Sequence, residues 1–206
     1  MSRELVPVAA AQAVPILTEA FAKDPVFAYF TGSTASLAQT PKCLQIMKTI
    51  TQLHALSGQP VWGWRVDGRI MGCALVEDRP DAFRQAVAVL RTLPAFLRLP
   101  LRVLLRLNAY SARSKRGQPE GVSHFLALLG LSDQARGKGQ GRRFLAALHA
   151  QYGPAAHWAL DTENPANLPF YERLGYRLYA QETLGPVTMF KLHRPPQTGI
   201  PDENQP

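Results

Sequence analysis

The sequence predicts a single α/β domain of the α+β type, in which a mixed and mostly antiparallel twisted sheet carries helices on both faces. Three features predict it. Asp67-Gly68 lies between two apolar runs and favours the primed turn of a tight antiparallel hairpin. A glycine-rich segment, Gln134 to Arg143, joins the apolar run Phe125 to Leu131 to a stretch where Phe144, Leu145 and Leu148 recur at helical spacing, so strand gives way to helix there. Finally, Gly185-Pro186 divides two closing strand-like segments.

Taken in order, Leu5 to Val8 reads as a first strand, followed by helical segments at Val14 to Phe21 and Cys43 to Leu56. The hairpin strands are Val61 to Val66 and Ile70 to Val76. The span 81–118 reads as a helical insertion, broken into two or three short helices by Pro94 and Pro100 because proline lacks the N–H that a helix interior needs. After it come strand Ser123 to Leu131, helix Gln140 to Tyr152, strand Ala156 to Thr162 and helix Ala166 to Leu174, which Gly175 stops. Strands Arg177 to Leu184 and Val187 to Leu192 close the sheet. From Arg194 the composition is Pro-rich and polar, which reads as a disordered tail at 194–206 behind one domain at 1–193.

With 206 residues the chain suits one domain. Cys43 and Cys73 are too few for a disulfide framework, and no charged start precedes an apolar core at the N-terminus, so a reducing cytoplasm is the expected location. No apolar run approaches the ~20 residues of a membrane helix. Paired Cys or His spacing for a metal is also missing, and neither a transmembrane segment nor a metal is expected.

The glycines at the strand-to-helix junction form a candidate anion cradle. Glycine accepts positive φ and lets backbone N–H groups approach a ligand, while a helix N-terminus offers unpaired donors and a positive dipole end. A phosphate or diphosphate is the expected guest. A Walker loop is excluded because no Ser or Thr follows Gly-Lys, and a dinucleotide fingerprint because Arg142 takes the third glycine's place. What remains is Arg136-x-x-Gly139-x-Gly141, with Gln134-x-x-Gly137-x-Gly139 as a second register.

The first register resembles the pyrophosphate-binding motif of the GNAT acetyltransferases, and it is preferred because it places Arg142, Arg143 and Phe144-Leu145 in the following helix as that family's pattern does. Leu160-Asp161-Thr162-Glu163-Asn164 and Phe170-Tyr171-Glu172-Arg173-Leu174-Gly175-Tyr176 resemble the second GNAT signature, and they follow in the same order. The resemblance covers about Val122 to Leu192, the acetyl-CoA-binding half, and more weakly Pro60 to Val76. With Ala20 to Phe27 and His124, it looks closest to the puromycin N-acetyltransferase branch, whose substrate does not carry over. It implies acetyl-CoA or coenzyme A as co-substrate and a central strand splayed from its parallel neighbour. It also implies a cofactor site of Arg136, Gly137, Lys138, Gly139, Gln140, Gly141 and Arg142, the main chain of Leu129 and Leu131, Phe170 and Asn167, with Asn164 a weaker match. Either asparagine could instead cap the helix that begins near Ala166.

The implied chemistry moves an acetyl group from a thioester to an amine. An ammonium must first lose a proton, for which His124 and Asp161 are candidates, with Glu77 and Asp78 poorer ones. Strand-end placement would equally explain His124, and ordering of the 162–167 turn would explain Asp161. The oxygen that becomes negative could face a backbone N–H near Leu129 to Leu131 if Gly130 marks a bulge, although packing would also explain a small residue there. By resemblance Tyr171 protonates the departing thiolate; packing beside the sulfur is its other reading. Cys43 and Cys73 lie outside both motifs, so direct transfer in a ternary complex is expected, without an acyl-enzyme.

In the insertion, Arg84, Arg91, Arg98, Arg102, Arg106 and Arg113 are spaced by seven or four and line one helical face opposite leucines. The working reading is an amphipathic cap with a solvated basic face. A lid over the acceptor cleft and a peripheral membrane contact are two further readings, the last without any lipid anchor. Net charge is +8, yet no nucleic-acid module is recognisable and no specific nucleic acid is expected. The expected function is therefore N-acetylation of a small-molecule primary amine, in a chain that could pair as a homodimer. Acylation of a protein or peptide amine, and a non-catalytic CoA-binding sensor, are the alternatives.

Overall fold

Asp67 and Gly68 both have positive φ, 48° and 81°, as the turn of a type I′ hairpin requires. In this computed structural model, which describes residues 2–32, 41–78, 81–114 and 116–197, they join β2 (Val61–Val66) to β3 (Arg69–Glu77). β1 (Arg3–Pro7) pairs antiparallel with β2, and β4 (His124–Leu131) with β3. β5 (Trp158–Thr162) runs parallel to β4, and β6 (Arg177–Leu184) and β7 (Val187–Arg194) close the sheet as a hairpin. The order is β1-β2-β3-β4-β5-β7-β6, and β4–β5 is the one parallel pair among the described residues. The expected mixed, mostly antiparallel sheet is present.

Helices cover both faces. On one, α1 (Ala10–Ala20), α2 (Pro25–Thr31), α3 (Pro41–Leu56) and α5 (Leu101–Ser114) bring Leu17, Phe27, Ile46, Met47 and Val103 into one apolar cluster. On the other, Phe144, Leu145 and Leu148 of α6 (Gln140–Tyr152) pack on Trp158, Leu160 and Leu192. α7 (Leu168–Glu172) is a short helix behind a 3-10 turn at Pro165–Asn167, where one helix was expected from Ala166 to Leu174. Among the described residues no helix is long and apolar enough to cross a membrane.

Some expectations need correction. α1 begins at Ala10, four residues before Val14; the Gln12 side chain accepts the Ala9 N–H and starts the helix early, and Pro15 is carried inside it. α2 was not foreseen. Asp24 caps it by accepting the Val26 N–H, Pro25 takes its first turn and Gly32 ends it at φ 69°, but seven residues are too few to show a period.

Pro94 does not break the insertion. It lies inside α4 (Ala82–Leu97), and only Arg98–Pro100 separates α4 from α5. Nor do these helices lie loosely on the surface: Ala88, Leu99 and Val103 are buried, and the Arg106 guanidinium donates to Tyr29 O at 2.6 Å. The buried Lys191 ammonium donates to Arg113 O, Arg116 O and Glu182 Oε1 at 2.6, 2.8 and 2.9 Å, tying the end of α5 to β7. At the C-terminus, Gln197 N–H donates to Pro154 O, and 198–206 of the expected tail lie outside the described residues.

Candidate active site

The site begins where β4 and β5 part. They pair over three positions only, His124–Trp158, Phe125–Ala159 and Leu126–Leu160. Immediately afterwards Ala127 is inserted as a bulge, because Val76 faces Leu126 while the adjacent Leu75 faces Leu128. The extra residue bends β4 away from β5, and the sheet opens. The bulge was expected near Leu129 to Leu131 on account of Gly130. Gly130 answers a packing need instead, since a Cβ there would lie 2.6 Å from Ala20 Cβ.

Past the bulge, Ser132 N–H donates to Met71 O on the β3 side. Main-chain groups alternate along a ladder, so those of Leu131 and Leu129 turn toward the gap left by β5. A polar, extended ligand arm could pair with them there.

At the end of β4 the glycine loop meets α6. Gly137 and Gly139 have φ of 73° and 69°, and a Cβ on either would meet nothing within 4 Å, leaving open space over the backbone. The first bond of α6 runs from Arg143 N–H to Gly139 O. The N–H groups of Gln140, Gly141 and Arg142 therefore have no preceding helical turn to bond, and they crown the positive end of the dipole.

Side chains hold this loop. Arg136 donates to Ala20 O at 2.8 Å and pairs with Asp133 at 3.0 Å, while Asp133 N–H donates to Glu19, fastening the loop to the end of α1. Gln140 turns inward and accepts from Trp64 Nε1. Gly141 is held close by Leu131 and Phe170. Lys138, Arg142 and Arg143 are exposed around the opening, as anion attraction requires.

From the loop a cleft of about 1600 Å³ runs past Phe170 and Tyr171 to a second group of polar side chains at Asp24, Tyr110, Asp161 and Glu163. Tyr171 is buried, and burial, then Glu163 and Asp24, push its phenol well above the ordinary tyrosine range. It stays protonated and can only donate a proton at neutral pH. Tyr110 OH donates to Glu163 Oε1 at 2.8 Å. Burial, reinforced by Asp24, pushes Glu163 up to about 8. Asp24 is itself raised by burial, against the Val26 N–H bond, and Asp161 reaches about 7 through burial, opposed by Ser114 and Lys191. Neither Asp161 oxygen has an aligned hydrogen-bond partner among the described residues. Carboxyls crowded out of water resist joint ionisation, and a cationic amine would relieve all three.

His124 is set apart. It is level with Trp158, five residues before Glu163, or about 16 Å of strand. Its ring packs on Tyr152 and Trp158. Nδ1 lies 2.7 Å from Ser123 Oγ, and Nε2 lies 3.2 Å from Asp78 Oδ1 without an aligned hydrogen bond. Burial lowers the His124 pKa despite Asp78. Asn164 accepts the Ala166 N–H, so it caps the 3-10 turn, and Asn167 Nδ2 donates to Thr162 Oγ1.

The arrangement thus brings the loop except Lys138, with Leu129, Leu131, Asn164, Asn167, Phe170, Tyr171 and Asp161, to one cleft and leaves His124 at its far end. Asp24, Tyr110 and Glu163 escaped the sequence reading. Glu163 lies within the second motif, two residues after Asp161, and that proximity was a usable signal; Tyr110 sits in an insertion without a motif and gave none. Cys43 and Cys73 are fully buried, with thiols pushed up to about 11 and about 12. Among the described residues no group of three His, Cys, Asp or Glu side chains could hold a metal ion.

No protein-family model matches the chain. Solved structures do match its fold. A Corynebacterium glutamicum protein described as histone acetyltransferase HPA2 and related acetyltransferase is 22% identical, with a TM-score of 0.67 over 98% of this chain and 99% of that one. The ribosomal-protein-S18-alanine N-acetyltransferase of Escherichia coli is 12% identical, with a TM-score of 0.55 over 99% and 100%. The polyamine N-acetyltransferase of Drosophila melanogaster is 14% identical, with a TM-score of 0.55 over 93% and 98%. The likeness to the puromycin branch rests on the sequence motifs alone. With its bulged and splayed central strand, glycine loop and, among the described residues, single parallel strand pair, the chain has the GNAT fold.

Proposed function

We propose that the protein is an acetyl-CoA-dependent N-acetyltransferase that acts on a primary amine of a small molecule by direct attack in a ternary complex. The observation that carries this reading is one cleft that joins an anion cradle at Gly137–Arg142 to a protonated Tyr171 and a titratable Glu163. The cradle N–H groups suit a pyrophosphate, and the Leu129 and Leu131 main chain suits an amide-bearing arm. The wall formed by Tyr110 and its helix supports a small acceptor over a protein segment, which would need an open groove.

Within this reading Glu163 takes the proton of the bound ammonium, directly or through water. The freed lone pair forms the C–N bond, and Leu129 N–H, the first past the bulge to face the gap, is placed to receive the developing oxyanion. As the C–S bond breaks, Tyr171 gives its proton to the departing sulfur. The nitrogen's second proton returns to the Tyr171 oxygen, and Glu163 passes the first to water, so the enzyme is restored and the net products are amide, thiol and one proton. Glu163 replaces His124 and Asp161 as the favoured base because its charge is close enough to raise the Tyr171 phenol, whereas theirs is not among the causes of that shift; its own pKa of about 8 still allows it to take a proton.

The test is thiol release from acetyl-CoA with a panel of small amines, a peptide amine and no acceptor. Acceptor-dependent release with small amines, lost in Tyr171→Phe and Glu163→Gln while CoA still binds, supports the proposal. Release only with the peptide, or CoA binding without turnover of any amine, overturns it.

A further inference from the structure

Two helices of the insertion turn apolar residues to water on the side away from the core. At about 100° per residue, with buried Ala88 as origin, buried Thr92 lies near 40° round α4, whereas Leu93, Leu97, Leu90 and Phe83 fall between about 140° and 220°. Arg98, Arg91 and Arg84 fall between about 280° and 320°, so they form a row beside the apolar stripe. α5 repeats the pattern from buried Val103, with Leu101 and Leu105 near 160° and 200° and Arg102 near 260°. These residues are not grazing the surface: Phe83, Leu97 and Leu101 are 77, 71 and 70% exposed. A helix that is apolar both inward and outward is ordinarily covered on both sides.

Charge identifies the cover. From Ala82 to Gln118 there is no Asp or Glu, while Arg91, Arg98 and Arg102 are exposed along the stripes. A second copy seated here would press arginine rows together with no carboxylate of that span to answer them. An anionic lipid surface supplies what both halves of the pattern require: an acyl boundary for the leucines and phosphates for guanidinium groups whose long stems reach outward.

We propose that the outward faces of α4 and α5 dock the protein peripherally on an anionic membrane surface. The helices lie flat on the bilayer without crossing it, Phe83, Leu90, Leu97, Leu101 and Leu105 enter the headgroup boundary, and Arg91, Arg98 and Arg102 pair with lipid phosphates. The inference is independent of the acetyl-transfer reading, because vesicle binding is measured without substrate.

The full chain is floated with vesicles of about one-third phosphatidylglycerol in phosphatidylcholine, and with phosphatidylcholine alone, at low and high salt. Binding to the anionic vesicles only, weakened by salt, is expected. Leu90→Ser with Leu97→Ser, and separately Arg91→Glu with Arg98→Glu and Arg102→Glu, should each reduce it at least about tenfold; circular dichroism and melting confirm that both variants are folded. No flotation on anionic vesicles, equal flotation on neutral ones, or affinity unaffected by either folded variant overturns the proposal. So does a dimer by light scattering that the serine variant dissociates when lipid binding is absent, since the face would then belong to a second copy.

Discussion

Glu163 and Asp161 retain protons to about 8 and about 7, well above the ordinary carboxylate range near ~4, and this has opposite consequences for rate and for stability. A base must be unprotonated, so kcat/KM should rise with pH through a limb near 8. Glu163→Gln should erase that limb and lower turnover by about 10²–10⁴-fold; a limb that survives the substitution assigns it elsewhere. The folded state holds these protons more tightly than the unfolded chain. Their stabilising contribution is therefore complete below the ordinary carboxylate range and is lost as pH rises through about 7 and about 8. Glu163→Gln should thus melt a few degrees higher than the native protein at alkaline pH, on the order expected for one relieved buried charge, with the difference shrinking toward acid. Tyr171→Phe should leave CoA binding intact and slow the chemical step by about 10²–10⁴-fold, as single-turnover kinetics can show; an unchanged rate would make Tyr171 a packing residue. Tyr171 was legible from Phe170-Tyr171-Glu172 because local spacing carries it. Glu163 was not, since its pKa depends on Asp24 and Tyr110, which only the folded chain brings beside it.

At the scale of elements, strand β4 shows where periodicity stops being informative. Phe125 to Leu131 is apolar at nearly every position, so the sequence shows a buried strand but not which side chains share a face. The bulge at Ala127 consequently left no mark, and the one visible irregularity, Gly130, pointed to the wrong place. Gly130 and Gly139 can be separated experimentally. Gly130→Ala inserts a Cβ 2.6 Å from Ala20 Cβ, so it should cost about 1–3 kcal/mol as overpacking while CoA affinity, measured on the folded protein, is preserved. At Gly139 an added Cβ meets no neighbour, yet Gly139→Val imposes a β-branched side chain at φ 69° over the open cradle. It should weaken CoA at least about tenfold, and calorimetry showing native affinity in a folded variant would remove the loop from the cofactor site. α2 went unseen for the complementary reason. Its Asp24-Pro25 start was on the page, but its length was too short for a pattern to form.

Over the whole molecule, a basic exterior surrounds an acidic interior site, and Lys191 links the two parts of the fold that the sequence kept separate. The motif-bearing half was legible because each motif is local. The insertion read as an amphipathic cap with a solvated face because nothing in its arginine and leucine spacing reveals that Leu99 and Val103 belong to the core, or that a lysine nearly eighty residues further on holds its last carbonyls. Removing that span whole would unfold the protein instead of opening it, so a single tie makes the better test. Lys191→Met leaves Glu182 and the carbonyls of Arg113 and Arg116 without their cation; Glu182 is partly exposed, so the cost is that of buried acceptors left without a donor, about 1–3 kcal/mol. The melting temperature should fall, and amide exchange should accelerate in α5 more than in α6. Because Tyr110 of α5 holds Glu163, the acceptor KM should rise while CoA affinity at the α6 terminus stays near native. A uniform loss of protection with both ligands equally weakened would show that Lys191 supports the sheet as a whole and that α5 is not separately coupled to the acceptor site.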